Sequence, residues 1–308
     1  MLGVNARPGR GDDLKSVVTC ILNCKAGSHE AANGQSLIER IAAEQGQDVR
    51  VVVCGGGQDF GALARQARET GGLVAAGGGD GTVSAVAAAL VDSNAPLGVL
   101  PMGTLNHFAK DLGVPLDLED AVRTLFTGRQ ARVDVGEVNG RVFLNNSSVG
   151  LYPQIVRERE REQAHGRTKW VAFAHATAHV LRRGVTLHVG IEDDRDGAGL
   201  LDTPFLFIGN NPYEITGLEI GKRARLDCGT LWLCAAPHAS RAKLLGLALG
   251  ALLGRVSPDS LTRREVKEAL IRTHRRHVHV ATDGEVSLMR APLHYRIRPG
   301  ALRVMVPV

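Results

Sequence analysis

The first 130 residues of this 308-residue chain alternate short, continuous apolar runs with helical stretches. Such runs predict strands that are buried on both faces, because a strand with one wet face would alternate apolar and polar residues. Strands that alternate with helices form parallel sheets covered by helices on both sides. The sequence therefore predicts an N-terminal α/β domain over residues 16–132. Its predicted strands are SVVTCILN, DVRVVVC, LVAAG and PLGVLP.

From about Val133 onward, extended runs are separated by turn residues, which favours mostly antiparallel β structure. Asn139-Gly140 lies between two such runs and is typical of a hairpin. Two helical stretches interrupt this region, at Ile155–Arg183 and from Arg241 to about Leu270. The last run, HYRIRPGALRVMVPV, predicts a hairpin-like pair of strands.

Composition excludes several classes of protein. Five cysteines without a C-x-x-C pair argue against a disulfide framework or a zinc site and fit a reducing compartment. Residues 1–15 lack an apolar core, so we expect a disordered tail and not a secretory signal. The apolar run Leu244–Gly254 is shorter than the roughly 20 residues that span a bilayer. The net charge of +5 permits an anionic partner without requiring one.

The motif GGGDGT, Gly77–Thr82, stands between the third predicted strand and the next helix. Glycines let a phosphate approach the backbone, and the N–H groups of a helix N-terminus bind anions. The motif lacks the third glycine of a dinucleotide fingerprint, and the chain has no P-loop. Asp80 fits a phosphate site if a cation bridges its carboxylate and the phosphate, or if the carboxylate accepts a proton. The alternative is a tight turn with Asp80 as the helix N-cap.

Two further motifs carry polar groups. PMGTLNHFAKDLG follows the next strand, so it should lie beside GGGDGT in a parallel sheet, with Thr104 and Asn106 facing the same cleft. In ATDGEVSL, Asp283 and Glu285 are two residues apart and would share one face of a strand. The alternative for this motif is a plain Asp-Gly turn.

Together these motifs resemble the diacylglycerol kinase catalytic family, which includes bacterial lipid kinases and the sphingosine and ceramide kinases. GGDGT is shared with NAD kinases and phosphofructokinase-like enzymes, whereas P-x-G-T-x-N-x-F-A favours the lipid kinases. The segments that carry the resemblance, in the family's order, are GGGDGT, PMGTLNHFA, FLNNSSVGLY, IGNNPY and TDGE.

The resemblance implies an α/β nucleotide-binding domain of the NAD kinase and phosphofructokinase type, completed by residues 293–308. It implies a β-sandwich-like lipid-acceptor domain over residues 133–292 and a cleft between the two. The implied activity is ATP- and Mg²⁺-dependent transfer of a γ-phosphoryl group to a lipid hydroxyl, with diacylglycerol or a related lipid as acceptor. We expect a cytoplasmic protein, peripheral at the inner face of the membrane, with no nucleic-acid partner; a homodimer is one option.

The resemblance also implies residue roles. Asp283 or Glu285 would accept the proton of the lipid hydroxyl, and the aspartate matching Asp80 has that role in sphingosine kinases, so all three stay candidates. Membrane contact could come from the basic stretch around Trp170 or from the apolar run at Leu244, if these are not a solvated face and a core helix. The implied ATP-binding residues are Asn23, Gly27, Gly77, Gly78, Gly79, Asp80, Gly81, Thr82, Thr104 and Asn106.

The chain departs from the family pattern at three cysteines. Cys24 replaces a proline after the first strand, and Cys54 stands where many members have a threonine that contacts ATP. Cys228 replaces the second aspartate of an Asp-Asp-Gly motif, which leaves Asp227 as the candidate ligand of a structural magnesium. The alternatives that stay open are a ceramide or sphingoid-base kinase, a metabolite kinase of the NAD kinase type, and a non-catalytic lipid- or nucleotide-binding homologue.

Overall fold

The structure is a computed structural model that describes residues 17–24, 28–55, 57–150, 153, 187–194, 197–216, 219–235 and 262–308. The predicted tail, Gly27, the stretch around Trp170 and the apolar run at Leu244 lie outside the described residues. Within them the chain forms 18 strands and five helices. None of these helices combines the length and the apolar character that crossing a bilayer requires.

Four parallel strands in the order β2-β1-β3-β4 form the N-terminal part of the structure, as the apolar runs predict. The chain passes from β1 to β2 on one side and then to β3 on the other side of β1. Ligands of open α/β sheets bind at the carboxyl ends of strands beside such a reversal. The strands are β1 (Val18–Asn23), β2 (Val49–Cys54), β3 (Val74–Gly78) and β4 (Leu97–Pro101). The helices are α1 (Ser28–Glu44), α2 (Phe60–Arg68), α3 (Asp80–Leu90), α4 (His107–Asp111) and α5 (Leu118–Thr127).

The remaining strands build a two-layered β structure. One layer is an antiparallel sheet in the order β14-β13-β10-β7-β16-β17, and the other contains β18-β15-β8-β9. Buried side chains of both layers, among them Ile208, Val280, Ile271 and Tyr295, share one apolar core, so the predicted sandwich-like fold is confirmed. The strands are β5 (Arg129–Val138), β6 (Arg141–Phe143), β7 (Asn146–Gly150), β8 (Leu187–Asp193), β9 (Gly197–Thr203), β10 (Phe205–Asn210), β11 (Glu214–Thr216), β12 (Glu219–Lys222), β13 (Leu231–Ala235), β14 (Thr262–Val266), β15 (Glu268–Thr273), β16 (His277–Thr282), β17 (Glu285–Arg290) and β18 (Leu293–Val306).

Two long strands join the parallel and antiparallel parts into one ten-stranded sheet. β18 pairs with β15 through its first residues and with β4 through Val304, while β5 runs beside most of its length. The predicted C-terminal hairpin is therefore wrong, because Pro299-Gly300 forms a register shift within one strand and not a turn. The predicted domain boundary at residue 132 falls inside β5.

The helix predicted from Arg241 to about Leu270 is wrong over its last part, which forms β14 and β15. The segment is rich in helix-forming residues, but Ala269 and Ile271 are buried while Glu268 and Arg272 are exposed. Pairing with β8 and β18 fixes this two-residue period. Tertiary contacts override local propensity here.

Candidate active site

The two glycine loops predicted to be neighbours are in backbone contact. Gly78 at the end of β3 is in register with Pro101 at the end of β4. A Cβ atom added to Gly103 would lie only 2.4 Å from Gly79 Cα. Only glycine at position 103 allows this approach, and no side chain stands between the loops at their contact.

The first loop is held at its ends by side chains. Asn23 Nδ2 at the end of β1 donates to Thr82 Oγ1 at 2.9 Å, and Thr82 is 6% exposed. The same hydroxyl lies so close to Gly78 that a Cβ atom there would be 2.7 Å from it. These contacts show that Asn23 and Thr82 shape the loop between β3 and α3.

Asp80 is the first residue of α3, and Gly79 is the N-cap, so the predicted alternative of Asp80 as N-cap is wrong. Asp80 Oδ1 accepts a hydrogen bond from Phe108 N of α4 at 3.3 Å. The first N–H groups of a helix have no carbonyl partner within it, and in α3 they belong to Asp80 and Gly81. Gly79, Gly103 and these N–H groups together fit a phosphate group, and we call this place the phosphate cradle.

Asn106 shapes the second loop through its own backbone. Its φ angle is 52°, in the left-handed region, and Oδ1 accepts from Gly103 N at 3.0 Å while Nδ2 donates to Gly103 O at 2.8 Å. Its amide is therefore used to close the turn. Thr104 is exposed, and its hydroxyl makes no hydrogen bond within the described part of the chain.

Asp283 and Gly284 form the two-residue turn of the β16–β17 hairpin. Their φ angles are 48° and 86°, and Thr282 pairs with Glu285 across the turn. Asp-Gly suits such a turn because both residues tolerate a positive φ. The expectation that Asp283 and Glu285 share one face of a strand is therefore wrong, and the Asp-Gly turn is observed.

Four donors surround the Asp283 carboxylate. Oδ2 accepts from Ser84 Oγ of α3 at 2.7 Å and from Leu144 N at 2.8 Å. Oδ1 accepts from Asn145 N at 2.8 Å and from Asn146 N at 3.2 Å. Burial raises the pKa of Asp283, whereas the four hydrogen bonds stabilise the anion and lower that pKa in part.

Glu285 also lies against the start of α3, although it is exposed. A Cβ atom on Gly81 would be 3.4 Å from Glu285 Oε1, and Arg141 Nη2 donates to Glu285 Oε2 at 2.9 Å. Since Asp283 bonds to Ser84 of the same helix, all three predicted carboxylates meet at the first turns of α3. A cavity of about 540 Å³ borders this place, between α3, the β5–β6 turn and the Asp283 turn.

Sequence reasoning missed several residues of this site: Ser84, Arg141, and the N–H groups of Leu144, Asn145 and Asn146. The hairpin predicted at Asn139-Gly140 is confirmed, with φ angles of 47° and 84°. No signal in the sequence connects Leu144 N with Asp283, because the two are 139 residues apart.

The residues around Asp227 do not fit a structural metal ion. Asp227 Oδ1 accepts from Arg225 Nε at 2.9 Å. The nearby Asp134 carboxylate accepts from Gly229 N at 2.7 Å and from Gly300 N at 2.8 Å. Among the described residues no group of three or more His, Cys, Asp or Glu side chains is suited to hold a metal ion.

Backbone N–H groups thus satisfy Asp134 without a cation. We expect that a chelator such as EDTA leaves the melting temperature of the nucleotide-free protein unchanged. Differential scanning calorimetry with and without EDTA measures this. A clear fall in melting temperature, reversed by Mg²⁺, would show that a structural metal is bound after all.

The chain is similar to several known proteins. Residues 17–138 match the model of the diacylglycerol kinase catalytic domain. A protein of Pseudomonas savastanoi named probable lipid kinase YegS-like is 32% identical over 244 residues, which cover 76% of this chain and 75% of the relative. A relative of the same name from Pseudomonas aeruginosa is 29% identical over 95% of both chains. The crystal structure of a diacylglycerol kinase from Bacillus anthracis covers 96% of this chain and 98% of its own, with a TM-score of 0.70 and 20% identity, and so shares the fold. The motifs, the fold and these matches together show that the chain belongs to the diacylglycerol kinase catalytic-domain family.

Proposed function

We propose that the protein is an ATP-dependent kinase that transfers the γ-phosphoryl group to the hydroxyl of a membrane lipid, with diacylglycerol as the leading acceptor. One observation carries the proposal: a half-buried carboxylate, Asp283, is fixed by four donors against the same helix whose N-terminus forms the phosphate cradle. The YegS-like lipid kinases support the choice of acceptor class, since they match most of the chain.

Phosphoryl transfer needs positioning and neutralisation of phosphate charge more than covalent chemistry. The backbones of the loops at Gly79 and Gly103, with the N-terminus of α3, would bind the phosphates of ATP. Mg²⁺ is usually held by one or two carboxylates together with phosphate oxygens, and Asp80 and Glu285 would hold it here. When bound, Mg²⁺ would neutralise negative charge on the transferring group.

The acceptor hydroxyl would reach Asp283 through the cavity beside α3, which Thr282, Asp283 and Glu285 line. A general base must lie within hydrogen-bond reach of the proton it removes. Burial gives Asp283 a higher proton affinity than an exposed aspartate, which suits a base. The four donors occupy the lone pairs of the carboxylate, so the Ser84 hydroxyl would turn away to free one of them for the lipid proton, while the three N–H groups keep the oxygens in place. The lipid would be met at the cytoplasmic face of a membrane.

The proposal is tested with a panel of acceptors and labelled ATP in the presence of Mg²⁺. Mixed micelles each carry diacylglycerol, ceramide, sphingosine or phosphatidylglycerol, and a separate reaction contains NAD. We expect label in the organic-soluble product of diacylglycerol. Label only in NADP would indicate a metabolite kinase. Label only in the product of ceramide or sphingosine would indicate a ceramide or sphingoid-base kinase. No label in any reaction would favour the non-catalytic alternative.

Replacing Asp80 separates its contact with α4 from its charge. In Asp80→Asn the side-chain oxygen can still accept from Phe108 N, so we expect the melting temperature to stay close to that of the wild type. The lost charge should lower kcat roughly 10²-fold or more if Asp80 holds Mg²⁺ or acts as a base. Steady-state kinetics at several Mg²⁺ concentrations measure this, and wild-type kcat would exclude both roles.

A further inference from the structure

We propose that Arg223 and Asp111 form a positioning pair that sets the Asp283 carboxylate against the phosphate cradle. This inference rests on the proposed function. Neither residue lines the cavity or belongs to the glycine loops, so they act on the reaction through other groups. The pair joins the two parts of the fold, because Asp111 ends α4 and Arg223 follows β12.

Arg223 is buried at 2% exposure, and all five of its guanidinium N–H groups have acceptors. Nε and Nη2 both donate to Asp111 Oδ2, at 2.9 and 2.7 Å. The other three donors go to Leu144 O at 2.7 Å, Asn210 O at 3.0 Å and Asn145 Oδ1 at 2.7 Å. A lysine could not reproduce this planar fork.

The acceptors of Arg223 belong to the segment that binds the candidate base. Leu144 and Asn145 each donate their backbone N–H to Asp283 while their oxygens accept from Arg223. Two neighbours fix the same segment from the side: Asn210 Nδ2 donates to Leu144 O at 2.8 Å, and Tyr213 OH donates to Asn145 O at 3.0 Å. The position of the Asp283 carboxylate therefore depends on the position of Arg223.

Asp111 connects Arg223 to the phosphate cradle. α4 begins at His107, receives the Asp80 carboxylate at Phe108 N, and ends at Asp111. A continuous set of contacts thus runs from Asp80 through α4, Asp111 and Arg223 to the N–H groups that hold Asp283. This arrangement fixes the distance between the candidate base and the bound phosphates.

If the ion pair served folding alone, its replacement by apolar side chains would leave kcat unchanged. Buried ion pairs can often be replaced by apolar residues of similar size without loss of folding, since no charge is left unpaired. The double variant D111L/R223M makes that replacement. It replaces the pair by apolar side chains and releases Leu144 and Asn145 from the guanidinium.

We expect D111L/R223M to fold and to bind ATP with nearly unchanged KM, while kcat falls roughly 10²-fold, the cost of small misplacement of catalytic groups. A partial loss of folded protein would leave kcat per folded molecule unchanged, and thermal unfolding measures the folded fraction.

The matched control is E192Q/R272Q, which removes an exposed ion pair on β8 and β15 away from the site. Wild-type kcat and KM are expected there. If wild-type protein transfers phosphate and D111L/R223M has the wild-type kcat, the positioning role is overturned. If the double variant does not fold, Arg223→Lys decides in the same way, because it keeps the buried charge and loses the fork. Absence of transfer by the wild type would instead overturn the proposed function.

Discussion

Replacing Asp283 by asparagine is expected to lower kcat for phosphoryl transfer by about 10²–10⁴-fold, the usual contribution of a general base. The amide cannot accept the proton of the lipid hydroxyl. KM for ATP should change little, because the glycine loops are untouched. The measurement is single-turnover transfer of labelled phosphate to the lipid accepted by the wild type.

The structure adds a cost in stability to this variant. Both Asp283 oxygens accept hydrogen bonds, so an amide nitrogen must face at least one N–H or O–H donor. A buried donor left unpaired costs about 1–3 kcal/mol. We therefore expect the free energy of unfolding of Asp283→Asn to fall by that amount, and denaturant unfolding measures it.

The variant Ser84→Ala separates the loss of one hydrogen bond from the loss of the carboxylate. It removes one donor to Asp283 but keeps the carboxylate, so transfer should persist at a reduced rate. Because the serine hydroxyl lowers the pKa of Asp283, its loss should move the acid limb of the pH–kcat profile to higher pH. Wild-type kcat in Asp283→Asn would show that the base is another group.

Local patterns in the sequence predict much of the fold, because apolar periodicity and turn residues act over a few positions. β1, β3 and β4 are continuous apolar runs and are almost wholly buried. The meeting of the two glycine loops also follows from the sequence, since parallel strands bring their carboxyl ends to one edge.

Features that depend on distant contacts could not be predicted in the same way. The Asp283-Gly284 turn is common in hairpins, and only the fold shows that its carboxylate binds Leu144 N and Ser84. Arg223 stands in a basic stretch, GKRARLD, where nothing distinguishes it from the exposed Arg225. Its buried charge is paired with Asp111, which is 112 residues away.

The contact between the two glycine loops gives the last prediction. In Gly103→Ala the added methyl group would lie 2.4 Å from Gly79 Cα and 2.9 Å from Asn106 Oδ1. The first of these atoms is backbone and cannot move alone, so the loops must separate, and overpacking of this kind costs about 1–3 kcal/mol.

We expect the affinity of Gly103→Ala for Mg²⁺-ATP to fall at least about 10-fold, as one lost charge-assisted hydrogen bond to phosphate already would. Isothermal titration calorimetry measures the affinity, and thermal unfolding shows what fraction is folded. Gly199→Ala is the control, since a Cβ atom there meets nothing within 4 Å, and it should match the wild type in both measurements. Normal ATP binding by folded Gly103→Ala would mean that the phosphates lie elsewhere, because the altered loop backbone could not hold them in the same way.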